Sequence, residues 1–133
     1  MNIAKTFTLH RKYLEFIPAL FNLLWGFWIG NTWWVSFASS SAFSMMNKLA
    51  PEWIWGTGVG IVGLFQLAAL FIGKLKLRMW AALLSVFTLT SMSILFGAGN
   101  FKSTAVINYA VLALCSWLGY NEIVSDIKEE GGK

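Results

Sequence analysis

The side chains able to do chemistry in this chain are few and stand apart. His10 is the single histidine, beside Arg11 and Lys12, and Cys115 is the single cysteine, among Ala113, Leu114 and Trp117. A lone cysteine in an apolar run reads as a packing thiol, and it allows neither an intrachain disulfide nor a cysteine metal cluster. No histidine or carboxylate falls at a comparable depth in the apolar runs, so Cys115 and the serines there lack a base that could activate them. CxxC, HExxH and P-loop patterns are missing. Gly56-Thr57-Gly58-Val59-Gly60 follows no strand and opens no soluble helix, so it does not read as a dinucleotide loop. The expectation is a protein without catalysis, cofactor or metal.

What remains is hydrogen bonding and close packing. Gln66, Ser85, Thr88, Ser91 and Asn108 are the polar side chains singled out within apolar runs. Ser85, Thr88 and Ser91 recur every three residues, a weakly polar stripe that either bonds back to carbonyls one turn earlier or lines a pore. Gln66 and Asn108 must find partners where water is excluded, and Asn108 is a candidate for an interhelical hydrogen bond. Gly56, Gly60 and Gly63 fall on one helical stripe, with small-xxx-small spacing between the first two. Such a stripe lets another backbone approach closely, in a second copy or within the chain.

The elements that must position these residues follow from hydropathy. The chain has 133 residues, 57% of them hydrophobic and only 12% charged. Its mean hydropathy is +0.63. A globular chain carries about 25% charged residues, and a small sphere cannot bury this much apolar surface. The reading is an all-α integral membrane four-helix bundle, a single domain over 1–133. Its spans are expected at about 18–36, 53–73, 79–99 and 104–120. The middle two are runs of about 21 residues, enough to cross roughly 30 Å of hydrocarbon. Pro18 should open the first span, where its missing N–H is harmless. The run is too long for a removed leader and reads as a retained anchor. Residues 1–15 are expected as an interfacial segment and 121–133 as a polar cytoplasmic tail. Phe43, Met46 and Leu49 recur at i, i+3, i+6 before Pro51, which suggests a short amphipathic outer helix at about 41–49. The rival is a first span that simply continues outward. Gly97–Asn100 supplies candidates for a left-handed cap, and Ser103 or Thr104 should cap the fourth span.

The net charge of +4 flanks apolar runs instead of forming a basic face. That favours orientation in a membrane over nucleic-acid binding. With both termini inside, Lys5, Arg11, Lys12, Lys74, Lys76, Arg78, Lys128 and Lys133 lie on the cytoplasmic side, and only Lys48 and Lys102 lie outside. The turn Lys74, Lys76 and Arg78 supplies three of those eight. Trp33, Trp34, Trp53, Trp55 and Trp80 should sit at the lipid headgroup boundary, where an indole has one apolar face and a donor to satisfy. A bacterial inner membrane is the expected location, with the bilayer itself as first partner.

Gly63-Leu64-Phe65-Gln66-Leu67, the basic turn through Arg78, Ser103-Thr104-Ala105-Val106 and Tyr109 to Leu114 carry a resemblance. Over about 53–120 the chain resembles small polytopic membrane proteins of unassigned role from tailed bacteriophages and prophages. The resemblance implies origin more than mechanism and brings no functional residues. Three functions stay open. The first is a non-catalytic protein acting through helix–helix assembly, as a homo-oligomer or a small subunit of a larger membrane complex. The others are a holin-like permeabiliser and a small-solute channel or transporter subunit.

Overall fold

The computed structural model describes residues 3–31 and 41–131, with side chains from residue 12 onward. The expectations for Trp33, Trp34 and the serines at 39 and 40 lie outside the described residues. Among the described residues the fold is all-helical. Helix α1 is Ile3–Gly30, and a 3-10 turn at Ser41–Phe43 leads into α2, Ser44–Leu49. Helices α3, α4 and α5 are Glu52–Ile72, Leu75–Gly99 and Thr104–Gly131. Three stretches are long and apolar enough to cross a membrane: Lys12–Gly30, Glu52–Ile72 and Leu75–Gly99.

Several boundaries differ from those the sequence suggests. Pro18 does not open α1 but lies inside it, fully buried. Residues 3–15 therefore continue into the apolar stretch as one helix instead of forming an element of their own. A proline in a helix interior leaves the carbonyl four residues earlier without its helical N–H, here that of Leu14. Gly119 of α5 packs at that point, where a Cβ would lie 3.6 Å from the Leu14 oxygen. The tail expected at 121–133 continues α5 as far as Gly131, because Ile123 still finds a buried place. Most of the basic link belongs to α4, which starts at Leu75.

Caps explain the turns. α3 ends on Gly73, the one residue with positive φ (76°) among those described, where glycine has no Cβ penalty. Asn100 ends α4 in an extended conformation, φ −156°, instead of the left-handed cap expected there. Ser103 opens α5 as expected, its Oγ accepting the N–H of Ala105 at 3.3 Å. The outer helix forms as a separate element but does not turn its apolar side away from the protein. Phe43 and Met46 are buried against α4, and Leu49 alone of the three is exposed. A Cβ on Gly99 would come 2.9 Å from the Ala42 carbonyl oxygen, so the 3-10 turn lies directly on the end of α4.

The four long helices pack in a closed ring, α1 on α3, α3 on α4, α4 on α5 and α5 on α1. The tightest seam joins α1 to α3. A Cβ on Gly26 would lie 2.3 Å from the Gly60 nitrogen, one on Gly56 2.3 Å from the Gly30 Cα, and one on Gly63 2.4 Å from the Leu23 nitrogen. No real Cβ fits such distances, so this seam is backbone against backbone. The stripe Gly56, Gly60 and Gly63 therefore serves packing within the chain. Gly58, on the open face, has nothing within 4 Å of a built Cβ.

Replacing Gly26 or Gly63 by alanine should force α1 and α3 apart and cost about 1–3 kcal/mol, the usual penalty of overpacking. Gly58→Ala should instead gain up to about 1 kcal/mol from helix propensity. Thermal unfolding of the three variants in mild detergent checks the contrast.

Candidate functional site

The buried face of each long helix repeats with helical spacing, and polar groups occupy equivalent steps. On α1 the buried set is Glu15, Pro18, Ala19, Asn22, Gly26 and Ile29. On α4 it is Ala81, Ala82, Ser85, Leu89, Met92 and Phe96. On α5 it is Tyr109, Ala113, Ser116, Gly119 and Ile123. Two turns, or seven residues, separate Glu15 from Asn22 and Asn22 from Ile29. The same step separates Arg78, Ser85 and Met92, and again Tyr109, Ser116 and Ile123.

Because the steps match, α1 and α4 run parallel in register and are tied twice. Asn22 Nδ2 donates to Ser85 Oγ at 3.0 Å, and Ser85 Oγ shares a hydrogen bond of 3.1 Å with Ser116 Oγ. Three helices thus meet in one hydrogen-bonded chain, with all three residues buried. Two turns nearer the basic end, the guanidinium of Arg78 takes the carboxylate of Glu15 through both oxygens, the Nε–Oε2 bond measuring 2.9 Å. Glu15 is 4% exposed. A paired, forked geometry is what a carboxylate needs at such burial.

On the other side of the polar chain lies an aromatic group. Tyr109, 2% exposed, stacks on Phe96 at 5.1 Å and receives Phe21 and Trp25 edge-on at 5.7 and 5.9 Å. Phe43 closes the group against Phe96 at 5.1 Å, which places the 3-10 turn before α2 as a lid on the bundle end.

The residues singled out from sequence divide accordingly. Ser85 and Gln66 point into the bundle, Gln66 at 3% exposure. Thr88 bonds its own Leu84 carbonyl at 2.9 Å, the back-bonding outcome for the stripe. Ser91 is half-buried with Ser93 two residues on, which bonds the Val106 carbonyl of α5 at 2.9 Å. Asn108 lies on the exposed face of α5, one residue away from the face that carries Tyr109, so it makes no interhelical bond within the chain. Trp53 and Trp80 are exposed, whereas Trp55 turns back and donates its Nε1 to the Met46 and Ala50 carbonyls, each at 3.1 Å. Trp55 thereby fastens α2 to α3. Lys74 and Lys76 are exposed, and Arg78 spends its charge on Glu15.

The sequence reading does not single out Asn22, Ser116 or Glu15. Glu15 falls in the segment before the spans, and Asn22 is one of two amides in the first run, with Asn31. The seven-residue step from Glu15 through Asn22 to Ile29, repeated from Arg78 to Met92, was the signal that marks them. No group of three or more metal-ligating side chains occurs among the described residues.

No family model, curated protein or solved structure matches the chain.

Replacing Arg78 by methionine would leave the Glu15 carboxylate buried without its partner, and should cost about 3–5 kcal/mol. A double-mutant cycle on Asn22→Ala and Ser85→Ala should return a coupling of about 0.6–1.7 kcal/mol. Asn108→Leu should stay within about 0.5 kcal/mol of the parent. Unfolding by increasing denaturing detergent, followed by circular dichroism, gives all three.

Proposed function

We propose that the protein is a non-catalytic, four-span membrane bundle that works by assembling with other membrane helices. The observation that carries this is the distribution of polarity. The interhelical hydrogen bonds and the ion pair lie inside or at the basic end, while the outer faces present Phe27, Ile61, Phe71, Phe87, Ile94, Ile107 and Leu114. Phe71 is 84% exposed. Such a surface is stable against lipid tails or another apolar helix and unstable in water. On this reading α5 crosses with the other three, its stretch at about 104–120 in the bilayer and its last turns in the cytosol. The basic turn lies on the cytoplasmic side of a bacterial inner membrane.

The assembly surface is the outer edge of the glycine seam. Once α1 and α3 are in contact, Gly26, Gly30, Gly56 and Gly60 floor an open groove of about 600 Å3 walled by Phe27, Ile61 and Leu64. Small residues beneath bulky walls suit the ridge of a further transmembrane helix.

Passage of a small uncharged solute is the second reading, favoured by the buried amides of Asn22 and Gln66 in the bundle centre. Liposome flux that is lost in Gln66→Leu but kept in Asn108→Leu would promote it over assembly.

Native mass spectrometry from mild detergent should find the chain with further copies or a retained partner, and Ile61→Trp in the groove wall should release them. Monomer alone would end the assembly reading. A tag after Lys133 should resist protease added to intact cells, and cleavage there would overturn the four-span topology.

A further inference from the structure

Gln66 is buried in the bundle, yet neither its Nε2 nor its Oε1 has a hydrogen-bond partner within the chain. The same holds for Oδ1 of Asn22, a residue with 0% exposure. These atoms belong to one neighbourhood. Gly63 precedes Gln66 by one turn on the buried face of α3, and a Cβ there would lie 2.9 Å from the Asn22 carbonyl carbon and 2.8 Å from the Ala19 oxygen. Gln66 therefore projects from α3 beside the turn of α1 that holds Asn22. Ser85 accepts from Asn22 Nδ2 and shares its other hydrogen bond with Ser116 Oγ.

The chemistry of this set is specific. It presents a donor group, Nε2, and two acceptors, Oε1 and Oδ1, with no formal charge among the four side chains. The Glu15–Arg78 pair is two turns from Asn22 and Ser85 and already satisfied. An ion would meet no counter-charge here. A molecule that only donates or only accepts would leave one side unpaired. With the α1 and α3 backbones in contact, the occupant that suits this set is the smallest molecule that both donates and accepts. Buried amides without protein partners are the usual sites of internal water, which typically makes about three hydrogen bonds.

We infer that Gln66 and Asn22 Oδ1 form an internal water site at the centre of the bundle. The water accepts from Gln66 Nε2 and donates to Asn22 Oδ1, and Ser85 holds the asparagine amide the right way round by taking its Nδ2–H. The inference rests on the bundle standing in lipid, where bulk water does not reach this depth from the side.

The test is water-edited solid-state NMR on the full chain, labelled with 15N and 13C and reconstituted in phosphatidylcholine–phosphatidylglycerol bilayers. Polarisation from water should reach Gln66 Nε2 about tenfold faster than the backbone amide of Leu89, which lies in the dry part of the core. Build-up at Gln66 as slow as at Leu89 would overturn the inference. In Gln66→Met, transfer to the Asn22 side-chain amide should drop to the Leu89 rate, and unchanged transfer would remove Gln66 from the site. Because the parent chain alone decides the first arm, a variant that fails to fold does not blunt the test. Flotation of the same liposomes separates the two claims: protein that does not float sinks the membrane reading, whereas floating protein with a slow Gln66 sinks only the water site.

Discussion

The contact on which the rest of the structure depends is the backbone-to-backbone seam between α1 and α3. Glycine at 26, 30, 56, 60 and 63 removes the side chains that would hold the helices apart, and built Cβ positions inside 2.5 Å at 26, 56 and 63 show how little space is left. At such range dispersion between backbones and weak Cα–H···O contacts replace side-chain interdigitation. The seam fixes where Asn22 faces and brings Gln66 beside it. A wider spacing would leave both amides in a loose apolar gap instead of a shared polar pocket.

The second level of order comes from polar ties between helices whose direct packing is slight. α1 and α4 face each other across the ring and touch less than its four neighbouring pairs, yet both cross-ties join them. Apolar surfaces tolerate sliding, since one methyl replaces another at little cost. A hydrogen bond between Asn22 and Ser85 exists in one register only, and the forked Arg78–Glu15 pair agrees with it. Of the two, the ion pair is the more consequential to break, since loss of one partner strands a buried charge.

Helix class, the glycine stripe and the start of α5 were legible in the residues themselves. Long uncharged runs and Ser103 ahead of an apolar segment each have a local physical cause that the chain displays. Spans at 53–73 and 79–99 correspond closely to the apolar parts of α3 and α4. The interior polar set was less legible. Gln66 and Ser85 could be picked as polar residues in apolar runs, but Asn108 and Thr88 satisfied the same test, and the first is exposed while the second bonds its own helix. Which face is inward depends on where α1 lies, and only the partner helix decides that. Glu15 escaped notice because a charge near a helix end is ordinarily solvated. Its burial needs Arg78, 63 positions later, to be in reach. The continuation of α5 through an acidic stretch was hidden for a similar reason: composition describes solubility, while Ile123 packing describes structure.

The matched seven-residue step also constrains how the chain can vary. Adding or deleting one residue between Glu15 and Asn22 would swing everything beyond it by about 100° around the helix axis. One of the two cross-ties would then have to be given up, together with the glycine floor that follows. Length between these positions is therefore as restricted as the identity of the residues, in α4 as in α1. The two helices behave as a pair of rulers with common gradations, and only paired changes that preserve those gradations leave the protein able to close.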